Sequence, residues 1–115
     1  MHELGLATEI IRLLEDQKRQ RGFLRVNIVR LRAGALSGVD RHALELAFTI
    51  AGEGSCAAGA RLELDQPALT LLCRQCRGET PATQAGGPQT CPACGSSELV
   101  LRGEDGLDVV SIEVD

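Results

Sequence analysis

The sequence has 115 residues, a net charge of −4 at pH 7 and an aromatic content of 2%, with no Trp or Tyr. This length suits one small domain, or two very small ones, and aliphatic side chains must supply nearly all of the buried surface. The acidic balance argues against a nucleic-acid-binding protein, for which a basic face is expected. No apolar run is long enough for a membrane span, so we expect no membrane insertion.

Five segments carry the periodicity of regular secondary structure. Residues 3–20 have apolar positions at helical spacing and a charged end, which predicts an amphipathic helix. Residues 25–33 are apolar on both faces, which predicts a central strand covered by a helix. A second helix is predicted over about residues 40–52. A half-buried strand is predicted over residues 61–65 and a last strand over residues 107–114.

The apolar positions of two of these segments predict their buried faces. In the first helix the predicted stripe comprises Leu4, Ala7, Ile10, Ile11, Leu13 and Leu14. In the first strand we expect Val29, Leu31 and Ala33 on one face and Val26 and Ile28 on the other, because side chains alternate along a strand.

The stretch from Cys73 to Cys94 contains two Cys-x-x-Cys pairs separated by fourteen residues. Four thiolates at this spacing can meet on one tetrahedral ion, and zinc, which binds sulfur at about 2.3 Å, is the usual one. The alternatives are two disulfides, which suit a secreted chain, or a redox-active dithiol, which normally needs one such pair. The chain starts without the regions of a signal peptide. We therefore expect a cytoplasmic protein whose Cys73, Cys76, Cys91 and Cys94 hold structural zinc.

Together these segments predict an α+β fold with two parts. The first is a domain of two helices and a three-stranded sheet, built from residues 1–66 and 107–115. The second is an inserted zinc-ribbon-like module at residues 67–106, with one short strand at 98–101. A segment of about forty residues buries too little apolar surface to fold alone, and a bound metal is a common remedy.

The first residues offer a second set of metal ligands. His2 is one of two histidines, and a lone histidine is most often an ordinary surface or core residue. However, a bulky residue after the initiator Met disfavours its removal, so Met1 should keep a free α-amine. That amine, the His2 amide nitrogen and the His2 imidazole can close chelate rings on Ni(II) or Cu(II), which suit square-planar nitrogen sets. Glu3 can add a carboxylate or a further amide nitrogen.

Several motifs together resemble the HypA/HybF hydrogenase maturation nickel metallochaperones. They are the Met1-His2-Glu3-Leu4 start, the turn at 34–40, residues 44–48, the two Cys-x-x-Cys pairs and Ile112-Glu113-Val114. The resemblance covers nearly the whole chain, with the motifs in the right order. It implies a non-enzymatic nickel carrier with a nickel-binding domain and a separate structural zinc domain. It also implies a partner GTPase and delivery of Ni(II) to the large subunit of a [NiFe] hydrogenase, in some organisms also to urease.

The resemblance also implies roles for individual residues. By position, His2 is the essential nickel ligand, Glu3 supports it, and Asp40 is an acidic residue near the metal. Asp40 is equally well placed as the N-cap of the second helix, and both roles can hold. The chain departs from the family in having Gly5 where Ser is frequent. No histidine flanks its cysteines, so we expect no histidine-dependent switch in zinc coordination.

Several questions stay open at the level of sequence. Cys56 is expected to be a buried or semi-exposed thiol without a metal role, and His42 a solvent-facing helical residue that could instead approach the nickel. Gly-rich loops at 34–38 and 52–59 would permit a homodimer. The competing function is a zinc-ribbon interaction adaptor with no nickel role, which leaves the Met-His-Glu start unexplained. A metal-dependent enzyme ranks last, because the sequence shows no nucleophile–base pair.

Overall fold

The computed structural model describes residues 2–82 and 87–115, which form two compact units. Unit 1 comprises the residues up to Ala33, Gly38–Asp65 and Leu107–Asp115. Unit 2 comprises Gly34–Ser37 and Gln66–Gly106. Within the described residues, no helix combines the length and apolar character that crossing a membrane requires.

Unit 1 contains two helices and three strands, as the sequence predicts. They are α1 (His2–Arg21), β1 (Val26–Ala33), α2 (Arg41–Ala51), β2 (Arg61–Asp65) and, after the strands of unit 2, β6 (Leu107–Val114). β1 is the central strand of the sheet, parallel to β2 and antiparallel to β6. The parallel pair needs a long crossover, which α2 supplies. The predicted α+β class and three-stranded sheet are confirmed.

The core of unit 1 lies between the sheet and the two helices. Helix α1 contributes residues spaced i, i+3, i+4 and i+7, which is the spacing of one helical face. The buried side chains are Ala7, Ile10, Ile11, Leu14, Val26, Val29, Leu31, Ala33, Leu44, Ala47, Phe48, Cys56, Ala57 and Leu64. The predicted α1 stripe is too wide, because Leu4 and Leu13 remain 45% and 42% exposed outside this face.

Val26 does not follow the predicted alternation of β1. Its pairing with β6 shifts register between Val26 and Ile28. Because an extra residue in a strand reverses the faces that follow it, Val26 joins Val29 in the core and is fully buried. The sequence gives no sign of this bulge, so the prediction that Val26 lies opposite Val29 is wrong.

Unit 2 is a small antiparallel sheet of three strands in the order β4-β3-β5. They are β3 (Thr70–Cys73), β4 (Glu79–Pro81) and β5 (Leu99–Arg102). Of these only β5 is predicted, because β3 and β4 are very short and β4 ends in a proline, which sheets tolerate at their edges. Among the described residues of unit 2, the buried hydrophobic side chains are Cys73 and Cys91 alone. The unit therefore lacks an aliphatic core of its own.

Gly34 explains why the short segment Gly34–Ser37 belongs to unit 2. The Gly34 N–H donates to the Gly106 carbonyl at 3.0 Å, and the Leu36 N–H donates to the Glu104 carbonyl at 2.9 Å. A Cβ at Gly34 would collide with the backbone of Glu104. Only glycine permits this approach of two backbones. The sequence predicts residues 34–38 in the first domain, and of these only Gly38 lies in unit 1.

Candidate metal centres

The first Cys-x-x-Cys pair lies in a tight turn that follows β3. The Arg77 N–H donates to the Cys73 carbonyl at 2.8 Å, and the Cys73 N–H donates to the Gly78 carbonyl at 2.9 Å. The Gly78 N–H also donates to the Cys76 sulfur at 3.4 Å. Arg77 has a φ of 63°, in the left-handed region that non-glycine residues rarely occupy. These bonds fix the backbone from which both sulfurs project.

The second pair repeats the same turn. The Gly95 N–H donates to the Cys91 carbonyl at 2.8 Å, and the Cys91 N–H donates to the Ser96 carbonyl at 2.7 Å. Gly95 has a φ of 76° and occupies the place that Arg77 has in the first turn. The two turns are thus equivalent in backbone geometry, but only the second has glycine at its left-handed position.

The two turns bring four sulfurs together. The Sγ atoms of Cys73, Cys76, Cys91 and Cys94 all lie within 4.8 Å of one another. The distances are 3.6 Å from Cys73 to Cys94 and 3.6 Å from Cys76 to Cys91. Sulfurs bound tetrahedrally to zinc at about 2.3 Å would be about 3.8 Å apart, so the cluster is consistent with a zinc site. A disulfide needs about 2.05 Å, and all five cysteines are free thiols.

The backbone N–H groups of the turns affect the charge state of the sulfurs. Hydrogen bonds, chiefly from the Cys76 N–H, lower the pKa of Cys73 to about 6, and hydrogen bonds led by the Cys94 N–H lower the pKa of Cys91. At Cys94 the Ser96 N–H acts in the same direction, yet the neighbouring Cys73 sulfur contributes to raising the pKa of Cys94 to about 12. Thiolates are the form that binds metal. The turns therefore favour the thiolate forms of Cys73 and Cys91. A bound cation is needed to neutralise the charge when all four cysteines are thiolates.

A second group of residues surrounds the start of α1. The His2 side chain is 57% exposed, and its Nδ1 lies 3.5 Å from Oε2 of Glu3. The Glu3 side chain is only 10% exposed and accepts a hydrogen bond from the Asp40 N–H at 3.3 Å. This bond lowers the pKa of Glu3 and keeps its carboxylate charged. An exposed imidazole thus stands beside a fixed carboxylate.

Asp40 contributes to this group through its backbone. Its side chain instead caps α2, with Oδ1 accepting from the Ala43 N–H at 3.0 Å. The N-cap role predicted for Asp40 is confirmed. Across residues 2–82 and 87–115, the four cysteines are the one set of three or more His, Cys, Asp or Glu side chains whose ligand atoms converge. The side chains of His2, Glu3 and Asp40 form no such set, and Met1 lies outside the described residues.

The other two sequence candidates are placed as expected for residues without a metal role. Cys56 is buried, and its N–H donates to Oε1 of Glu15 at 2.8 Å. Burial raises the pKa of the Cys56 thiol, which favours the neutral form. His42 is exposed on α2. Arg77 is not predicted as a site residue, although an alignment of the two Cys-x-x-Cys turns places this arginine where the second turn has glycine.

Comparisons with known proteins identify the family of this chain. The family described as "Hydrogenase/urease nickel incorporation, metallochaperone, hypA" matches residues 1–114. The hydrogenase maturation factor HypA of Syntrophus aciditrophicus is 37% identical over 116 residues, covering 100% of both chains. The HypA of Cereibacter sphaeroides is 38% identical over 114 residues, covering 99% of both.

A solved structure shows the same fold. The solution structure of the Ni metallochaperone HypA from Helicobacter pylori matches with a TM-score of 0.63 and 19% identity, over 97% of this chain and 96% of that one. At this identity the likeness concerns the fold, whereas the match over residues 1–114 identifies the family. The chain therefore belongs to the HypA family of metallochaperones for hydrogenase nickel incorporation.

Proposed function

We propose that this chain carries Ni(II) to a [NiFe] hydrogenase and binds it at the N-terminus through His2. The observation that carries the proposal is the placement of His2, an exposed imidazole in the first turn of α1 beside the buried carboxylate of Glu3. The α-amine of Met1 and the amide nitrogen of His2 would complete a nitrogen-rich set of the kind that Ni(II) prefers.

The start of α1 suits coordination by backbone nitrogen. The first four N–H groups of an α-helix have no partner within the helix. Since α1 begins at His2, the amides of His2 and Glu3 belong to this group. Ni(II) can therefore replace an amide proton there without breaking a helical hydrogen bond. Glu3 also supplies negative charge at the positive end of the helix dipole, where a cation would otherwise be disfavoured.

Exposure of the site fits a carrier, which must release its metal. A ligand set at the surface can be displaced by a partner without unfolding the protein. Asp40 would act mainly by holding Glu3 through its N–H, since its carboxylate caps α2. We include Asp40 as a supporting residue and His2 as the essential ligand.

For the cysteine cluster we propose structural Zn(II), bound by Cys73, Cys76, Cys91 and Cys94. The sulfur spacing supports this choice, and zinc would supply the stability that unit 2 lacks in apolar core. In this proposal unit 1 is the nickel-binding domain and unit 2 the zinc domain. The predicted bounds, 1–66 with 107–115 and 67–106, differ from these units at Gly34–Ser37 and Gln66.

The proposal also assigns partners and a compartment. We propose a maturation GTPase and the hydrogenase large subunit as partners, with urease as a second client, in the cytoplasm. The protein would transport nickel without catalysing a reaction or binding nucleic acid. Light scattering with and without Ni(II) distinguishes a monomer from the homodimer that the Gly-rich loops permit.

The proposal is tested by titrating Ni(II) into zinc-loaded protein, using calorimetry, beside a His2→Ala variant. We expect one micromolar-range site in the wild type and none in the variant, with zinc content unchanged. His42→Ala is the matched control, because it removes the other histidine and should leave nickel binding intact. If His2→Ala binds nickel as well as the wild type, the carrier proposal fails and a zinc-stabilised adaptor becomes the better account.

A further inference from the structure

Unit 2 has a concave surface lined by three arginines. The pocket measures about 370 Å³ and is formed by Leu72, Cys73, Arg74, Arg77 and Arg102. It is a positive site in a chain whose net charge is −4. Arg102 forms one long ion pair, with Glu79 at 3.7 Å. In the described part of the chain, no acidic side chain lies within ion-pair distance of Arg74 or Arg77.

The backbone at Arg77 gives a second, independent observation. Arg77 is the one described non-glycine residue with a positive φ, and the equivalent residue of the second turn is Gly95. A residue with a Cβ pays a conformational cost in this region that glycine does not pay. Backbone strain of this kind is concentrated at functional sites. Here the strained residue is one of the three arginines that line the pocket.

An alternative role for the three arginines is to stabilise the zinc site. Zinc held by four thiolates carries a net charge of about −2, and nearby arginines would partly neutralise it. That role makes a distinct prediction, because losing the arginines would then weaken zinc binding. It also does not account for Arg77 at a strained position, since Arg74 and Arg102 can hold positive charge without strain.

The pocket's chemistry selects a class of ligand. A guanidinium binds carboxylates in a two-pronged geometry, and Leu72 offers an apolar wall to the methylenes of an acidic side chain. Nucleic acid is disfavoured, because proteins that bind single strands stack bases on aromatic rings. The two aromatic residues, Phe23 and Phe48, both lie in unit 1.

We propose that Arg74, Arg77 and Arg102 form a docking site for an acidic segment of a partner protein, whose carboxylates they bind. The site is separate from the residues proposed to hold nickel. A partner could therefore be held through unit 2 whether or not nickel is bound. This inference stands or falls independently of the proposed nickel site.

The test uses zinc-loaded full-length protein and a fluorescent peptide of alternating glutamate and glycine, followed by anisotropy at low salt. We expect binding that salt weakens, and no binding of the matched peptide with glutamine in place of glutamate. Each of Arg74→Gln, Arg77→Gln and Arg102→Gln should lower affinity about threefold, and the triple variant at least about tenfold. Arg12→Gln, an exposed arginine of α1, is the control and should bind as the wild type does.

Arg77→Gly separates binding from folding. We expect it to raise the thermal stability of unit 2, because glycine suits the left-handed backbone, while lowering peptide affinity as Arg77→Gln does. The proposal is overturned if the triple variant binds the peptide normally, or if weaker binding only follows loss of zinc. It is also overturned if the glutamine peptide binds equally, or if inorganic phosphate or a single-stranded RNA binds more tightly than the glutamate peptide.

Discussion

Glu3 connects the N-terminal segment to the rest of unit 1. Its carboxylate is buried and accepts the N–H of Asp40, which is 37 positions away in sequence. The same oxygen lies near the imidazole of His2. A residue that the family resemblance presents only as a helper in metal binding thus also has a structural role.

Substitution of Glu3 should reveal both roles. Glu3→Ala removes the acceptor of the Asp40 N–H, and losing this partly buried hydrogen bond should cost stability. We expect thermal unfolding of unit 1 to shift down by roughly a few degrees. We also expect weaker Ni(II) binding in calorimetry. Glu3→Gln retains an acceptor oxygen and should recover most of the stability but not the nickel affinity. Equal stability of the wild type and Glu3→Ala would contradict the role of this hydrogen bond.

The sequence predicts ligand types well and their environments less well. The four cysteines are predicted from spacing alone, because Cys-x-x-Cys turns are local structures with few backbone solutions. The fixing of Glu3 by Asp40 is not predictable in this way, since it depends on how α1 and α2 meet. The strained conformation of Arg77 is likewise set by the turn, although a glycine would suit the position better.

Helix α2 depends on the capping interaction at its start. Asp40→Ala should cost about 1 kcal/mol of stability, because the Ala43 N–H loses its acceptor. Asp40→Asn keeps a good cap and should be close to wild type in denaturant unfolding. Nickel titration of Asp40→Asn then isolates the carboxylate charge. Unchanged affinity would mean that Asp40 acts through its backbone, whereas a large loss would indicate direct metal coordination.

Helix α1 contains a glycine where alanine would fit. A Cβ at Gly5 meets no atom within 4 Å, so Gly5→Ala should stabilise unit 1 by up to about 1 kcal/mol in denaturant unfolding. Gly52, the residue that caps the C-terminus of α2, is the matched contrast. A Cβ at Gly52 would lie 3.0 Å from the Phe48 carbonyl oxygen. Gly52→Ala should destabilise the protein. A larger loss of stability in Gly5→Ala than in Gly52→Ala would contradict this prediction.

At the scale of elements, apolar periodicity predicts which helices and strands exist better than it predicts the register of the strands. Both helices and the strands of unit 1 follow from apolar spacing. The bulge that buries Val26 does not, because register is set by pairing with β6. The strands β3 and β4 are missed because they are too short to show a pattern and are held by turns and by the cysteine cluster.

At the scale of the whole molecule, the two units differ in what stabilises them. Unit 1 has an aliphatic core, whereas the described part of unit 2 buries only two cysteines as hydrophobic side chains. Metal binding should therefore supply much of the folding free energy of unit 2 but not of unit 1.

Removing zinc with a chelator should consequently unfold unit 2 and leave unit 1 folded. We expect amide protection to be lost in β3, β4 and β5, measured by hydrogen exchange on the intact chain. Protection in β1 and the helical circular dichroism signal should persist. Re-addition of zinc is the control and should restore unit 2. Loss of protection throughout both units would show that they fold as one cooperative body, contrary to this account.

The central claim, that the two metals use different ligands, is tested most directly by X-ray absorption at the nickel and zinc edges of protein loaded with both. We expect zinc with four sulfurs at about 2.3 Å and nickel with nitrogen and oxygen ligands only. A sulfur shell around nickel would place the cargo in the cysteine cluster and contradict the proposed N-terminal site.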